Sequence, residues 1–575
     1  MTTLSNPGPA PRVARAWNRG RRGSAASGSS RAAWRLATPL LLAALPLALF
    51  FAFFHASTLD IGNPGWLIRA SDNGENALGA HAYWHDPNAG ASLRTGLLNA
   101  PDGVPVLYTD SNPLLTLAAK PFARALPADA QLIGPFVLFS LFLQAVFAWL
   151  LLRRRAPGPV ALWVGVALLA FPPTLFNRFI HVNLMAHWTI LAALYLFLDA
   201  KRGERMRWWV PLIAITALIH SYLLVMVGAI WASVMLVRLL DGGPRTRIAT
   251  LVQGTAMLAL VALLAWWLGV GDQIAARNFG FYSMPLDALW NPGIQTYSNL
   301  LPAHEPTPAR YFEGFQYLGA GGLALIATAI AVAGALPAAA GEDVVRQRLR
   351  RLVPALLVLG ILAITRMQLP VFLQVGLDPV RASGRLFWPI GYVMVFVALL
   401  SIYRLSAERA ALLLVAVLAL QVADLSNMAA AIRLQSAEAD RHRLYVRTLD
   451  PRWAPLIASA GSIAFIPGDV TKDLGLFQEV AWRAVKAGRP VGNVYAARGS
   501  RATIRRLTAE RAAFGRGELV PGRLYIVGPT VTVPAGAAGR RLTLDGTTVV
   551  VPMAVRTAVA NDAKMPVAAS RPAPL

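Results

Sequence analysis

Long apolar runs, most of them closed by basic residues, set the pattern of this chain. A helix needs about 20 consecutive apolar residues to cross the hydrocarbon of a bilayer. Hydropathy and flanking charge together mark out about 11 segments of that kind. Their centres fall near Leu45, Leu141, Val166, Leu191, Ile215, Ala229, Leu260, Ile326, Leu359, Met394 and Val415. The first, from Leu36 to Ala56, follows an Arg-rich head (Arg12, Arg15, Arg19, Arg21, Arg22, Arg31, Arg35). That head is long for a signal peptide and no small-x-small cleavage site follows, so the run reads as an uncleaved first crossing. The run from Trp208 to Leu240 is too long for one ordinary helix and short for two. Basic residues flank both of its ends, which predicts a break at Ile219–Tyr222, around His220.

The short loops after alternate segments are basic: Arg153–Arg155, then Lys201, Arg202, Arg205 and Arg207, then Arg238, Arg245 and Arg247, then Arg346, Arg348, Arg350 and Arg351, then Arg404 and Arg409. The positive-inside rule puts those loops and the N-terminus in the cytoplasm, and an odd number of crossings puts the C-terminus outside. Three outside loops are substantial, at residues 57–130, 271–318 and 367–385. The period changes after Leu425. Ser462–Ile466, Pro490–Tyr495, Arg523–Val527, Arg541–Leu544 and Thr548–Val551 read as strands, Leu474–Ala487 and Arg501–Phe514 as helices. The expected fold is mainly α: a polytopic membrane domain over 36–425 plus a small α/β soluble domain over 426–557, periplasmic. Residues 1–35 and 558–575 are expected to be disordered.

Composition agrees with lipid as the solvent. Of 575 residues, 56% are hydrophobic and 14% charged, too few charges to cover a water-soluble surface of this size. The net charge of +25 would suit nucleic acid, but many of the positive charges sit at the ends of apolar runs, so no nucleic-acid partner is expected. Cysteine is absent, which excludes disulfides and thiolate metal sites.

The first outside loop holds the densest chemistry. Asp72 and Glu75 are three apart and share a face on a helix; Asp110 follows in Tyr108-Thr109-Asp110-Ser111-Asn112. A carboxylate at the membrane surface can act as general base toward a sugar or lipid hydroxyl, and the same residues equally suit helix capping. His81 and His85, at i and i+4 with Asp86 beside them, have a spacing that can bind a divalent metal, though no third histidine is near in sequence. Arg178, His181, Asn183, His187 and His220 lie at or near apolar runs. Ionisable groups at membrane depth are costly and usually face a polar cavity, whereas an interfacial place costs little; His187 and His220, flanked by apolar residues, favour the cavity. Two further patches, Arg310–Gly319 with Glu313 and Arg381–Pro389 with Arg385, put charge beside aromatics on the outside. Guanidinium groups there can hold a lipid phosphate through paired hydrogen bonds.

At these patches the chain resembles an uncharacterised family of bacterial multi-spanning proteins with the plan of GT-C glycosyltransferases. The matching pieces are the Asp72 loop with Leu78-Gly79 and His81, Tyr108-Thr109-Asp110-Ser111, and Leu184-Met185-Ala186-His187-Trp188. They continue with Glu313-Gly314-Phe315-Gln316-Tyr317-Leu318-Gly319 and Ser383-Gly384-Arg385-Leu386-Phe387-Trp388-Pro389. Gly492-Asn493-Val494-Tyr495-Ala496-Ala497-Arg498 extends the likeness into the C-terminal domain. The resemblance implies transfer of a sugar from a polyprenyl-phosphate carrier to a lipid, glycan or protein outside the bacterial inner membrane. An acidic residue early in the first outside loop is then the catalytic carboxylate, and Asp72 fits. Many such enzymes carry two adjacent acids, whereas Asn73 follows here. The candidate set is Asp72, Glu75 and Asp110 for catalysis, and His81, His187, His220, Glu313, Arg381 and Arg385 for substrate, with Arg381 or Arg385 on the carrier phosphate. No cofactor is implied beyond the metal option at His81 and His85. The competing reading is a transporter or a lipid-handling or envelope-assembly protein without catalysis, its cavity using His187 and His220.

Overall fold

The computed structural model describes residues 28–551 apart from positions 91, 272, 294–296, 305–307, 339–340, 367–368, 438–443 and 536–540. The tail expected at 558–575 lies outside the described residues, as does the head before residue 28. The first helix runs Gly28–Phe53, so it begins inside the stretch expected to be disordered to residue 35. Good helix formers (Arg31, Ala32, Ala33, Arg35, Leu36) carry the apolar helix backward by about two turns.

Each expected apolar centre lies inside a helix, but the expectation of about 11 crossings is not supported. Among the described residues, four helices are long and apolar enough to cross a membrane: Ile133–Leu152, Ser221–Asp241, Pro244–Trp267 and Ser383–Ile402. Ala407–Asp424 with Ser426–Ser436, bent by 49°, would make a fifth. Several of the others fall short. Pro159–Ala170 has 12 residues and Met206–Ile219 has 14, about 18 and 21 Å at 1.5 Å per residue against a hydrocarbon core of about 30 Å. Hydropathy counts apolar residues whether they meet lipid or protein. Pro172 and Pro173 end one run, and the chain breaks at His220 as expected, with Met206–Ile219 before it and Ser221–Asp241 after.

The membrane-length helices, and the 23-residue helix Glu342–Ile364 whose charged first half keeps it out of that set, are charge-polarised. Ile133–Leu152 ends at Arg153–Arg155, while its first turn meets the 57–130 loop, where Gln131 Nε2 donates to Thr58 O (3.0 Å) and Asp60 O (2.7 Å). Glu342–Ile364 starts among Arg346, Arg348, Arg350 and Arg351 and ends where Met284 N donates to Ala363 O (2.8 Å). Ser383–Ile402 runs from the 367–385 loop to Arg404. One end of the bundle is thus basic and the other carries the long loops. Leu251, Val252, Leu258, Leu263 and Trp266 on Pro244–Trp267 are exposed, an apolar face that suits lipid rather than water.

The 57–130 loop contains the helix Asp72–His85 and a two-stranded ribbon, β1 (Arg94–Thr95) and β2 (Val104–Pro105). The C-terminal region is a four-stranded sheet with helices Leu474–Lys486 and Arg501–Gly515. Its strands are β3 (Ser462–Ile466), β4 (Arg523–Val527), β5 (Arg541–Leu544) and β6 (Thr547–Val550), ordered β3-β4-β6-β5. β3 and β4 pair in parallel, Ser462 opposite Arg523, and the other pairs are antiparallel. The strand expected at Pro490–Tyr495 does not form. Asn493 is buried, and its side-chain amide bonds the backbone of Phe465, Phe465 N donating to Oδ1 (2.7 Å) and Nδ2 donating to Phe465 O (3.3 Å). A side chain thus takes the place of a strand's ladder, and only Val491 bridges, to Leu98 and Ile463.

The C-terminal sheet domain packs on the first loop through Leu474–Lys486. Trp482 stacks on His81 with ring centroids 3.9 Å apart and donates from Nε1 to Asp129 Oδ1 (3.0 Å). The Gln478 amide, fully buried, spans the entrance to the Asp72 helix: Ala70 N donates to Oε1 (3.0 Å) and Nε2 donates to Ser71 O (2.7 Å). Truncating Gln478 to alanine removes both bonds, and although Ser71 O keeps those from Gly74 N and Glu75 N, each lost hydrogen bond costs about 0.5–1.5 kcal/mol. Gln478→Ala is therefore expected to lower the melting temperature of the purified protein and to speed proteolytic release of the C-terminal domain. An unchanged melt and digestion pattern would show that Gln478 does not hold the two regions together.

Candidate functional site

The residues of the site come from seven separate stretches. Ser71 caps the Asp72–His85 helix, its Oγ accepting from Gly74 N (3.2 Å). That puts Asp72 and Glu75 in the first turn, where backbone N–H groups and the helix dipole favour negative charge. Asp110 sits just after a 3₁₀ turn at Val106–Thr109, with φ of 53°, a left-handed conformation that Asp tolerates better than most residues. The turn presses on the helix because Gly79 has no side chain; a Cβ there would lie 1.9 Å from Thr109 Oγ1. Asn183 Nδ2 donates to Asp110 O (2.6 Å) and fixes the turn from the other side. Gly384 and Gly314 also meet closely, with Gln316 Nε2 donating to Gly384 O (2.8 Å). That approach brings Glu313 against Arg385.

At the centre stands His181. Its Nε2 lies 3.5 Å from Asp72 Oδ2 and 3.4 Å from Glu313 Oε1, and its Nδ1 lies 3.9 Å from Asp110 Oδ2. His220 Nε2 approaches the other Asp110 oxygen at 3.7 Å. Tyr222 N donates to His220 Nδ1 (3.2 Å), which leaves the proton of the neutral ring on Nε2, facing Asp110. Glu313 Oε2 accepts from Arg178 Nη1 (2.8 Å) and from Arg385 Nε (2.8 Å) and Nη2 (2.5 Å). Arg178 is 1% exposed and also donates from Nη2 to Phe312 O (2.6 Å). Arg385 rests over the Tyr222 ring at 4.8 Å. Asp72 is the most open acid, its side chain 30% exposed, and Tyr495 Oη donates to its Oδ1 (3.1 Å).

Electrostatics divide these acids. Burial pushes Glu75 well above the usual carboxylate range, and the charges of Asp110 and Asp72 push the same way; one of its oxygens has no partner among the described residues. Burial also acts to raise Glu313, but Arg385, His181 and Arg178 outweigh it and hold the group well below that range. At Asp110, burial is outweighed by contact with His181 and by the charges of His220, His181 and Arg385, so its carboxyl is lowered. For His181, burial opposes the charge, and Asp110 and Glu313 more than restore it, so its value is raised. An acid biased toward its neutral form, two held anions and a histidine biased toward imidazolium therefore share one site, an arrangement that separates proton donor and acceptor roles.

Of the residues singled out from sequence, Asp72, Glu75, Asp110, His220, Glu313 and Arg385 come together here. Arg385 is engaged by Glu313 and is not free to clamp a phosphate. Arg381 is half-buried and its side chain makes no hydrogen bond or ion pair among the described residues. His81 is fully buried beneath Trp482 and does not line the site. His85 Nδ1 contacts His81 O (3.0 Å), and among the described residues no group of three or more His, Asp or Glu is placed to hold a metal ion. His187 is buried elsewhere, against Trp388, with Nδ1 2.9 Å from Tyr392 Oη. His181, Arg178 and Tyr495 are the members that site selection from sequence missed. The signal for His181 and Arg178 was their place beside an apolar run, set aside as interfacial; Tyr495 lay within a matching segment.

The fold and site define a mainly helical protein with membrane-length helices and an acid–histidine–arginine cluster beneath an α/β domain. Residues 43–426 match the family described as Domain of unknown function (DUF6311), and residues 452–552 match the DUF6311 C-terminal domain. The chain belongs to the DUF6311 family. No curated protein and no solved structure matches it.

Linkage gives the cluster a pH signature. His181 has a raised folded value, so its contribution to stability is complete below about 6.5, the unfolded histidine value, and is lost as pH rises through the folded value. Glu75 acts in the same direction: its stability contribution is complete below about 4.3 and is lost as pH rises toward its own raised value. Melting temperature is expected to fall from neutral to alkaline buffer, above the acid range in which His81 and His220, whose values burial lowers, act with the opposite sign. The fall should shrink in His181→Asn and in Glu75→Gln. Wild-type slopes in both variants would remove these two groups as its source.

Proposed function

We propose that this protein is a GT-C-type glycosyltransferase of the bacterial inner membrane, moving a sugar from a polyprenyl-phosphate carrier to a periplasmic lipid, glycan or protein acceptor. The observation that carries the reading is the Asp72 carboxylate. It stands at a helix N-terminus just beyond the first apolar helix, is partly open, and is flanked by His181, Asp110 and Glu313. It is the acid best placed to take a proton from an incoming hydroxyl. In the proposed step the acceptor oxygen loses its proton to Asp72 and bonds to the anomeric carbon. The bond from that carbon to the carrier phosphate oxygen breaks, and the phosphate leaves with the electron pair. Glu75, buried and biased toward its neutral form, supplies a hydrogen-bond donor, and Asp110 orients His181. Arg381, without an acid partner among the described residues, replaces Arg385 as the contact for the phosphate.

The charge-polarised helices support an orientation in which the basic end is cytoplasmic and the acidic site faces the periplasm. A second reading has its own observation. Gln144 Nε2 donates to Tyr392 Oη (2.8 Å), which meets His187, and Gln144 Oε1, His187 Nε2 and Ser140 Oγ are buried without partners among the described residues. A polar chain of that kind inside helices also suits a transporter.

Asp72→Asn keeps the side chain's shape but removes its basicity. Transfer of radiolabelled sugar in membranes of the native host is expected to fall by about 10²–10⁴-fold, with expression and melting temperature barely changed. Full transfer by a well-folded Asp72→Asn protein would sink the enzyme reading and favour the transporter.

The two arginines give a separate outcome. Arg381→Ala is expected to weaken carrier binding by roughly ten- to a hundredfold in a protein that still folds. Arg385→Ala is expected to destabilise by about 3–5 kcal/mol, because it leaves the Glu313 charge short of a buried partner. Carrier titration and thermal melting on both variants check the assignment; the reverse pattern would return the phosphate contact to Arg385.

A further inference from the structure

Residues Val491 to Arg498 cross the first outside loop as a strap. Val491 N donates to Leu97 O and Ala100 N donates to Val491 O, both at 2.9 Å. Asn99 N donates to Asn493 O (3.2 Å), and Ala497 N donates to Tyr108 O (2.8 Å), next to the Asp110 turn. At the far end Arg498 donates from Nε to Asp378 Oδ2 (2.7 Å) and from Nη2 to Asp378 O (3.0 Å). Asp378 also accepts from Ala276 N (2.8 Å) and Arg277 N (3.2 Å), and it opens the 3₁₀ turn Asp378–Val380 that leads into Arg381. In the middle, Tyr495 Oη reaches Asp72 Oδ1.

We propose that Tyr495 is a positioning residue for Asp72, so that the C-terminal domain is a working part of the site. The inference rests on the transfer reading above. The two Asp72 oxygens face different groups, Oδ1 the tyrosine hydroxyl and Oδ2 the His181 ring at 3.5 Å. Together they set the plane of the carboxylate. Without the hydroxyl, the carboxylate can turn back toward the first backbone N–H groups of its own helix. Tyr495 draws it away from them and toward the opening. The same strap, anchored on Asp378, fixes the distance between the acid side of the site and Arg381. Tyr495 is not needed for docking, because Gln478, Trp482, Arg498 and Arg506, which donates to Asp102 Oδ2 (2.8 Å), join the two regions independently.

The test is a double-mutant cycle on the full-length protein: Tyr495→Phe, Asp72→Asn and the pair. The probe is native-host membrane charged with a radiolabelled polyprenyl-phosphate sugar. Tyr495→Phe is expected to lower kcat by about ten- to a hundredfold, the order expected for a misplaced reacting group, with KM for the donor and the melting temperature unchanged. In the Asp72→Asn background the same change is expected to cost nothing further. Equal losses in both backgrounds would overturn the proposal, since the tyrosine would then act elsewhere. So would full turnover by Tyr495→Phe alongside an inactive Asp72→Asn, which leaves the transfer reading standing. Full turnover by Asp72→Asn removes the transfer reading and the tyrosine's role with it.

Discussion

The contact on which the site depends is the buried grip of Arg178 and Arg385 on Glu313. Three stretches far apart in sequence meet at one carboxylate, and both guanidinium groups approach the same oxygen. Removing two cations and an anion from water is expensive, and their mutual attraction offsets that only with good geometry and few unmet donors. Arg178 meets the requirement with Phe312 O and the Phe312 ring, Arg385 with the face of Tyr222. One partner cannot be removed without stranding the others. Rigidity at Glu313 then passes to its second oxygen, which faces His181, and through His181 to Asp72 and Asp110.

The cluster also solves a charge problem. Asp72, Glu75, Asp110 and Glu313 would repel one another if all were ionised. Two arginines and a histidine biased toward its charged form sit against three of them, and the fourth, Glu75, is driven to its neutral form by burial and by those same neighbours. The local charge is thereby brought near balance despite four acids. On the proposed reaction, that is the condition under which a phosphate-bearing lipid can approach an acidic pocket without strong repulsion.

Much of this was legible in the sequence. The apolar runs located the helices, and the break at His220 followed from charges on both sides of an overlong run. Runs of alternating residues gave most of the C-terminal strands. Asp72, Asp110, Glu313 and Arg385 stood out as polar residues next to aromatic and apolar stretches. Hydropathy could not tell lipid-facing from protein-facing surface, and so made short interior helices into crossings. It could not distinguish a histidine in a cavity from one under a ring, as His81 is under Trp482. His181 escaped because its importance lies in three carboxylates from distant segments, and no local pattern carries that. The strand expected at Pro490–Tyr495 failed for a reason visible only in three dimensions, where the buried Asn493 amide bonds the neighbouring strand in place of a backbone ladder.

That failure bears on how the two regions cooperate. A regular strand at 490–495 would have satisfied its own backbone within the sheet and left nothing to reach outward. Because the ladder ends at Val491, the following backbone groups must find partners elsewhere. Asn493 O and Ala497 N find them in the first loop, at Asn99 and Tyr108. Two independently patterned regions are thus joined by backbone bonds that neither could form alone. The acids project from the helical region and Tyr495 of the C-terminal sheet region reaches Asp72, so separating the two would loosen the site even with every helix intact.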